Sequence, residues 1–230
     1  VAVRHRRLCC ARHVWLMGGY MRSALIPDYA ELWCLSNFSF LRGASHPQEL
    51  VARAQQQGYR ALALTDECSM AGMVRAHMAA KAQAMPLLVG AQFQVAGSDA
   101  DAPPFTLVAL ACNLRGYGNL CAFITRLRRQ SPKGQYQLAQ AAIHAHALED
   151  CVLLAAPSRL ASDVQMAALA QWLQQRFAGR CWLAVQLQRS LDDERWLHRL
   201  RHVGSASGMS LVAAGDVHMH VRSRKPLQDV

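Results

Sequence analysis

The sequence contains no CxxC pair, no GxGxxG or P-loop motif, and no apolar run approaching a membrane span. Each absence closes a class. Without CxxC there is no zinc ribbon and no thioredoxin-like redox pair, although the chain has eight cysteines. Cys34, Cys112, Cys151 and Cys181 lie in or beside apolar runs, where a free thiol behaves as a small hydrophobe. That usage points to a reducing, cytoplasmic setting and away from a disulfide framework. Without a glycine-rich phosphate loop, nucleotide-binding Rossmann readings lose their main support. Lysine is also scarce, with only Lys81, Lys133 and Lys225 among 25 basic residues. An arginine-dominated, alanine-rich composition is most simply codon usage in a GC-rich genome, and phosphate recognition is the alternative.

Acidic residues are missing from positions 1–22, which carry Arg4, Arg6, Arg7, Arg12 and Arg22. The rest of the chain holds 20 basic against 15 acidic side chains, a mild surplus that permits work near a polyanion without demanding it. The apolar stretch Val14–Met17 is broken by Gly18–Gly19, too short for a secretory signal. Residues 1–28 are expected to form an N-terminal extension outside the fold, and residues 29–230 a single folded domain.

From residue 30 onward, short apolar runs alternate with amphipathic segments. Strands are expected at 30–35, 60–65, 87–95, 105–112, 151–157, 181–188 and 210–215. Helix signals fill most of the gaps. Ser45 is placed to cap a helix with Gln48 as its reciprocal partner, Pro47 suits the first turn, and Gly58 ends the run. Further helices are expected over 69–83, 162–177 and 191–203, the last with Asp192, Asp193 and Glu194 in its first turn. Strands separated by helices imply parallel pairing through right-handed crossovers. Continuous apolar runs such as LVGAQF and CVLLAAP suit a sheet covered on both faces. The pattern predicts an α/β fold, an irregular seven-stranded β/α barrel in preference to an open sheet. Gly97–Pro104 and Gln130–Gln135 read as loops.

In such folds functional groups gather at the carboxyl ends of the strands. The first strand delivers Ser36 and Asn37, the second Asp66 and Glu67, and the seventh Asp216 and His218, while Gln92 lies within the third. Carboxylates and an imidazole at one mouth make a candidate divalent-metal site. The plain alternative is that Asp66 caps the following helix and His218 is a core histidine.

The blocks SNFSFLRGAS, ALTDECSMAG, GYGNLCAFITRLRR and AAGDVHMHVRSRKPLQDV, in that order, resemble the PHP (polymerase and histidinol phosphatase) domain that opens bacterial C-family DNA polymerases. The resemblance runs from about residue 29 to the end and is strongest to the error-prone branch. It implies a PHP-type, irregular seven-stranded barrel cut off before the polymerase palm. Metal-binding members open with His-x-His, and those positions are here Trp33 and Leu35. The Asp-His after strand two corresponds to Asp66 and Glu67, and the carboxylate of strand three to Gln92. Asp216 and His218 keep the closing Asp-x-His. The resemblance therefore implies a vestigial metal set of Asp66, Glu67, Asp216 and His218, with no catalytic residue in the segment.

The parent protein so implied is a DNA-directed DNA polymerase for translesion synthesis and damage-induced mutagenesis. It would use Mg²⁺ in missing domains and act on primer-template and deoxynucleoside triphosphates. A sliding clamp and mutagenesis accessory proteins would be its partners, with no membrane. The rival is a free-standing metal-dependent phosphoesterase of the PHP superfamily. His77 reads as a helix-face residue; His144 and His146 are alternate and share no helix face. The arginines 126, 128 and 129 fit a helix C-terminus, with DNA contact as the alternative.

Overall fold

Seven strands form one sheet in chain order: β1 (Ala30–Glu31), β2 (Ala61–Leu64), β3 (Leu87–Val95), β4 (Phe105–Ala111), β5 (Cys151–Pro157), β6 (Cys181–Val185) and β7 (Leu211–Ala213). The computed structural model describes residues 28–97 and 103–229; the expected extension up to residue 27 lies outside the described residues. Beyond β1 and β7 the chain continues side by side. Cys34 bridges Val217 in parallel, the Leu35 N–H donates to the Val217 carbonyl at 2.8 Å, and the Val217 N–H donates to that of Trp33 at 2.9 Å. This seam brings the two edges together and makes the sheet the expected β/α barrel.

One expectation about pairing is corrected. β4 runs antiparallel to both β3 and β5, whereas the other neighbours are parallel. The β3–β4 connection is shorter than the dozen or so residues a parallel crossover needs. The chain therefore returns as a hairpin. After β4, α3 (Leu114–Arg129) carries it back up, and residues 130–150 bring it down to the start of β5.

The remaining helices are α1 (Pro47–Gln56), α2 (Met73–Ala82), α4 (Asp163–Phe177), α5 (Asp193–Ser207) and the short α6 (Lys225–Gln228). α1 is capped one residue later than expected. His46 is the N-cap and Glu49, not Gln48, accepts its N–H at 2.8 Å. Ser45 is committed elsewhere: its hydroxyl accepts the His220 N–H at 2.9 Å and meets the ring Nδ1 at 2.8 Å. α2 begins at Met73, not Ser69, because Ser69 caps a turn by accepting the Ala71 N–H. α4 starts as read, with Ser162 and Gln165 forming a capping box. Gly58, Gly179 and Gly208 all take positive φ just past a helix end.

The strands are mostly apolar because both faces are covered, with Glu31, Gln92 and Gln94 among the exceptions. Ala63, Val108, Leu110, Leu154, Ala184 and Ala214 turn inward with Trp33 and Leu35 and fill the barrel axis. Their neighbours face out: Leu62 and Leu64 pack on α1 and α2, while Leu107, Ala109, Leu153 and Leu183 pack under α3, α4 and α5. Truncating a fully buried leucine such as Leu64 or Leu154 in such a layer costs about 2–5 kcal/mol. The axis itself is plugged, and polar groups have room only at its upper end.

Candidate functional site

At the carboxyl end of β2 the chain passes into the buried carboxylate of Asp66. Its Oδ1 accepts the Ser36 N–H at 2.8 Å and the Ser39 hydroxyl at 2.7 Å, and its Oδ2 accepts the Ser36 hydroxyl at 2.7 Å. Burial pushes the acid above its ordinary range, and the serine hydrogen bonds work against that rise. Asp66 thus does not cap the helix after it, which starts six residues further on behind Gly72. It instead holds the loop that follows β1, residues 36–44. That loop is closed on itself by Ser39 N–H to Ser36 O, and by Arg42 and Gly43 N–H to Ser39 O, each at 3.0 Å. Gly43 is required there, because a Cβ would lie 1.9 Å from the Ser36 carbonyl oxygen.

Glu67 is the centre of a second set of bonds. Its Oε1 accepts the Tyr136 hydroxyl at 2.7 Å. Its Oε2 is paired with the Arg42 guanidinium and accepts the Gln92 amide at 3.2 Å. Gln92 is fully buried, and its Oε1 accepts the indole N–H of Trp33 at 2.5 Å. Burial, and then the Glu67 carboxylate, raise the Tyr136 hydroxyl above the ordinary tyrosine range, so it remains a donor. Arg128 completes the corner by donating to the backbone carbonyls of Glu67 and Cys68 while its guanidinium lies 5.4 Å from the centre of the Tyr136 ring. Of the three clustered arginines, Arg128 is thereby fixed to this corner and Arg126 lies over Phe123.

Across the mouth, Asp216 adopts a left-handed backbone (φ 50°) and its Oδ2 accepts the Gln186 amide at 3.0 Å. Its Oδ1 lies 3.0 Å from His218 Nε2. The His218 carbonyl accepts the Ala44 N–H at 2.8 Å, which ties this segment to the loop after β1. Asp66 and Asp216, together with Glu31, lie close enough to Cys34 to add to the burial that holds its thiol well above the ordinary range.

The four residues expected from the sequence are therefore at one end of the barrel, but each is engaged with protein. Among the described residues no group of three or more His, Cys, Asp or Glu is arranged to hold a metal ion. The donor set does not fit a divalent cation. Every oxygen of Asp66 and Glu67 accepts from a protein donor, Trp33 and Leu35 are hydrocarbon-filled positions on the axis, and a guanidinium faces Glu67.

Sequence reasoning missed Arg42, Ser36 and Ser39 as partners, Tyr136, Gln186 and, above all, Glu31. Glu31 is a buried carboxylate at the seam: Oε1 accepts the N–H groups of Trp33 (2.9 Å) and Gly215 (2.8 Å), and Oε2 the Tyr29 hydroxyl (2.9 Å). Burial raises it above the usual carboxylate range. It also lines a cavity of about 220 Å³ beside Leu50, Arg53 and His220. The available signal was a charged residue inside an otherwise apolar strand, AELWCL. His77 is on the exposed face of α2, as expected, and His146 pairs with Glu149.

The fold is a barrel whose strands are parallel but for the pairs made by β4. Two solved structures share it: a protein assigned as a metal-dependent phosphoesterase from Bifidobacterium adolescentis (TM-score 0.58, 17% identity, 84% of this chain and 88% of that one) and an amidohydrolase from Chromobacterium violaceum (TM-score 0.59, 18% identity, the same coverage). At that identity the likeness shows the fold alone. The family is fixed by sequence: residues 31–190 match the PHP domain, and the chain belongs to the PHP domain family. Its curated relatives include the error-prone DNA polymerases of Dechloromonas aromatica (50% identical over 209 residues, 89% of this chain) and Bordetella parapertussis (49% over 218 residues, 90% of this chain). The chain spans about a fifth of the length of these relatives.

Proposed function

We propose that the chain is the PHP-domain part of an error-prone DNA-directed DNA polymerase, and that its own role is to scaffold the polymerase body. The observation that carries this is identity near 50% over nine-tenths of the chain to such polymerases, of which it covers about a fifth. On this reading, residues 1–28 are an extension and 29–230 the barrel domain. The whole protein, in the cytoplasm, would extend primer-template with deoxynucleoside triphosphates across damaged bases. Mg²⁺ held by carboxylates outside these residues would stabilise the charge developing on the transferred phosphoryl group. A sliding clamp and mutagenesis accessory proteins would join it there.

Within the barrel, the inherited positions Asp66, Glu67, Asp216 and His218 serve as hydrogen-bonding anchors in place of metal ligands. The phosphoesterase alternative requires a cation where Arg42 and Tyr136 now face Glu67. Two measurements test the reading. The purified chain, dialysed against Zn²⁺ or Mn²⁺ and analysed by atomic emission, should retain well under one equivalent; two or three tightly held ions would restore the phosphoesterase reading. The chain alone should give no primer extension. Extension that persists in an Asp66→Ala, Asp216→Ala double variant would place a polymerase centre elsewhere in these residues, and extension lost in that variant would place it at the barrel mouth.

A further inference from the structure

Most described arginines are spoken for. Arg42, Arg60, Arg115, Arg159, Arg199 and Arg224 face carboxylates, Arg128 and Arg180 donate to backbone carbonyls, and Arg75, Arg126 and Arg176 lie over aromatic rings. α5 is different. Its inner face is Trp196, Leu200, Val203 and Gly204, all buried. Its outer face exposes Arg195, His198, Arg201 and His202, and none of these four has an ion pair, side-chain hydrogen bond or ring partner among the described residues. Positions 195, 198, 201 and 202 fall within about a third of the helix circumference and span about 10 Å of its length. Four cationic or hydrogen-bond-donating groups therefore point the same way.

One exposed carboxylate, Glu194, stands at the start of this face, one turn before His198, and the rest of the face carries none. The acids of α5, Asp193 and Glu194, are confined to its first turn, where the helix dipole accounts for them, and Asp193 is taken by Arg159. No acidic residue occurs between Glu194 and Asp216. α4, which packs alongside, has none after Asp163, and that one is paired with Arg199. Its exposed residues toward the C-terminus are Gln171, Gln175 and Arg176, all hydrogen-bond donors, and Gln174 reaches toward Gly208 at the end of α5. A surface made of guanidinium, imidazole and amide groups matches phosphate oxygens. It lacks the buried-anchor chemistry of a protein hot spot: the exposed Leu160 and Leu191 lie before the helix begins.

We propose that the outer face of α5, with the adjoining C-terminal half of α4, is a sequence-independent contact surface for the phosphate backbone of nucleic acid. The inference rests on exposed cationic groups that have no ion-pair partner among the described residues, and it goes beyond the polymerase reading. Guanidinium groups released from internal partners displace condensed counterions on binding, so the affinity must fall with salt.

The test is fluorescence anisotropy with a fluorescein-labelled duplex of ~20 base pairs and the matching single strand, from about 50 to 200 mM salt. Arg195→Glu with Arg201→Glu should weaken binding about tenfold at the low end and make the slope of log affinity against log salt shallower by about two. A control of equal charge change, Arg53→Glu with Arg129→Glu, should shift affinity by less than about threefold. Circular dichroism melts check folding. Should the reversal variant not fold, Arg195→Gln with Arg201→Gln keeps the donors uncharged and should still lower the slope. Unchanged binding in the α5 variants, or equal weakening in the control, overturns the proposal. Displacement of the duplex by polyglutamate as effective as by unlabelled duplex also overturns it, in favour of an acidic protein partner. Binding is read here without primer extension, so failure of this surface and failure of the polymerase reading are separate results.

Discussion

The two sides of the barrel mouth treat their inherited carboxylates differently. On the β1–β2 side, Asp66 is buried and accepts three hydrogen bonds, and Glu67 accepts from Tyr136, Gln92 and Arg42. Across the mouth, Asp216 is partly exposed and meets only one amide and one imidazole. A carboxylate buried among donors is structural: removing it leaves N–H and O–H groups stranded without water. A part-buried carboxylate with two partners strands fewer donors when it is removed. The difference lies in how many donors each carboxylate satisfies. Asp66 has become a clamp for the loop after β1, whereas Asp216 mainly shapes a turn.

The largest expected effect is at the clamp. Asp66→Ala should cost about 3–4 kcal/mol, because three buried donors lose their acceptor at once. Urea denaturation followed by circular dichroism measures it, and a loss under about 1 kcal/mol would place the burial of this corner in doubt.

A second test uses Glu31, which joins both sides through the Trp33 and Gly215 N–H groups. Its folded-state pKa is raised, so its contribution to stability is complete below about pH 4.5, the ordinary value for a glutamate. That contribution is lost as pH rises through the folded value. Glu31→Gln keeps an acceptor for both N–H groups and cannot ionise. The variant should therefore gain on the wild type in urea midpoints as pH rises above about 4.5, until the wild-type carboxyl is ionised in the folded protein. A difference that stays constant over this range would mean that Glu31 folds with its ordinary acidity.

Next in size is the internal cation. Arg42→Met should cost about 1–2 kcal/mol, less than a fully buried pair because both side chains keep some exposure. Addition of Mn²⁺ should not restore the lost stability; recovery would mean that Glu67 still serves a metal. The smallest effect belongs to the open side. Asp216→Gly should cost no more than about 1 kcal/mol, since relief of the left-handed backbone partly offsets the loss of two part-buried contacts. A loss matching that of Asp66→Ala would erase the contrast between the two sides.

Much of the architecture was legible in single segments. The seven strand positions follow from apolar runs with turn signals, and Ser162, Gly58, Gly179 and Gly208 mark helix ends by their own conformational chemistry. The antiparallel β4 was also within reach, because Gly97–Pro104 is too short for a crossover helix. The sites were legible only as positions. Asp66, Glu67, Asp216 and His218 could be placed at one mouth, but the side-chain partners of Asp66 and Glu67 come from residues 25 to 69 positions away, as with Arg42 and Tyr136 for Glu67.

The sequence by itself determined the family, the strand–helix order and the absence of carboxylate or imidazole at Trp33, Leu35 and Gln92, since each is a property of residue identity at a position. Tertiary structure decided what fills the vacated chemistry. Closing the barrel at Cys34 and Val217 buries Glu31 in the seam and turns the loop after β1 over Asp66. It also brings the Arg42 guanidinium to Glu67, the Trp33 indole to Gln92 and four exposed donors to the outside of α5. These outcomes depend on which groups meet after folding and on which are hidden from water, and neither is written in local sequence.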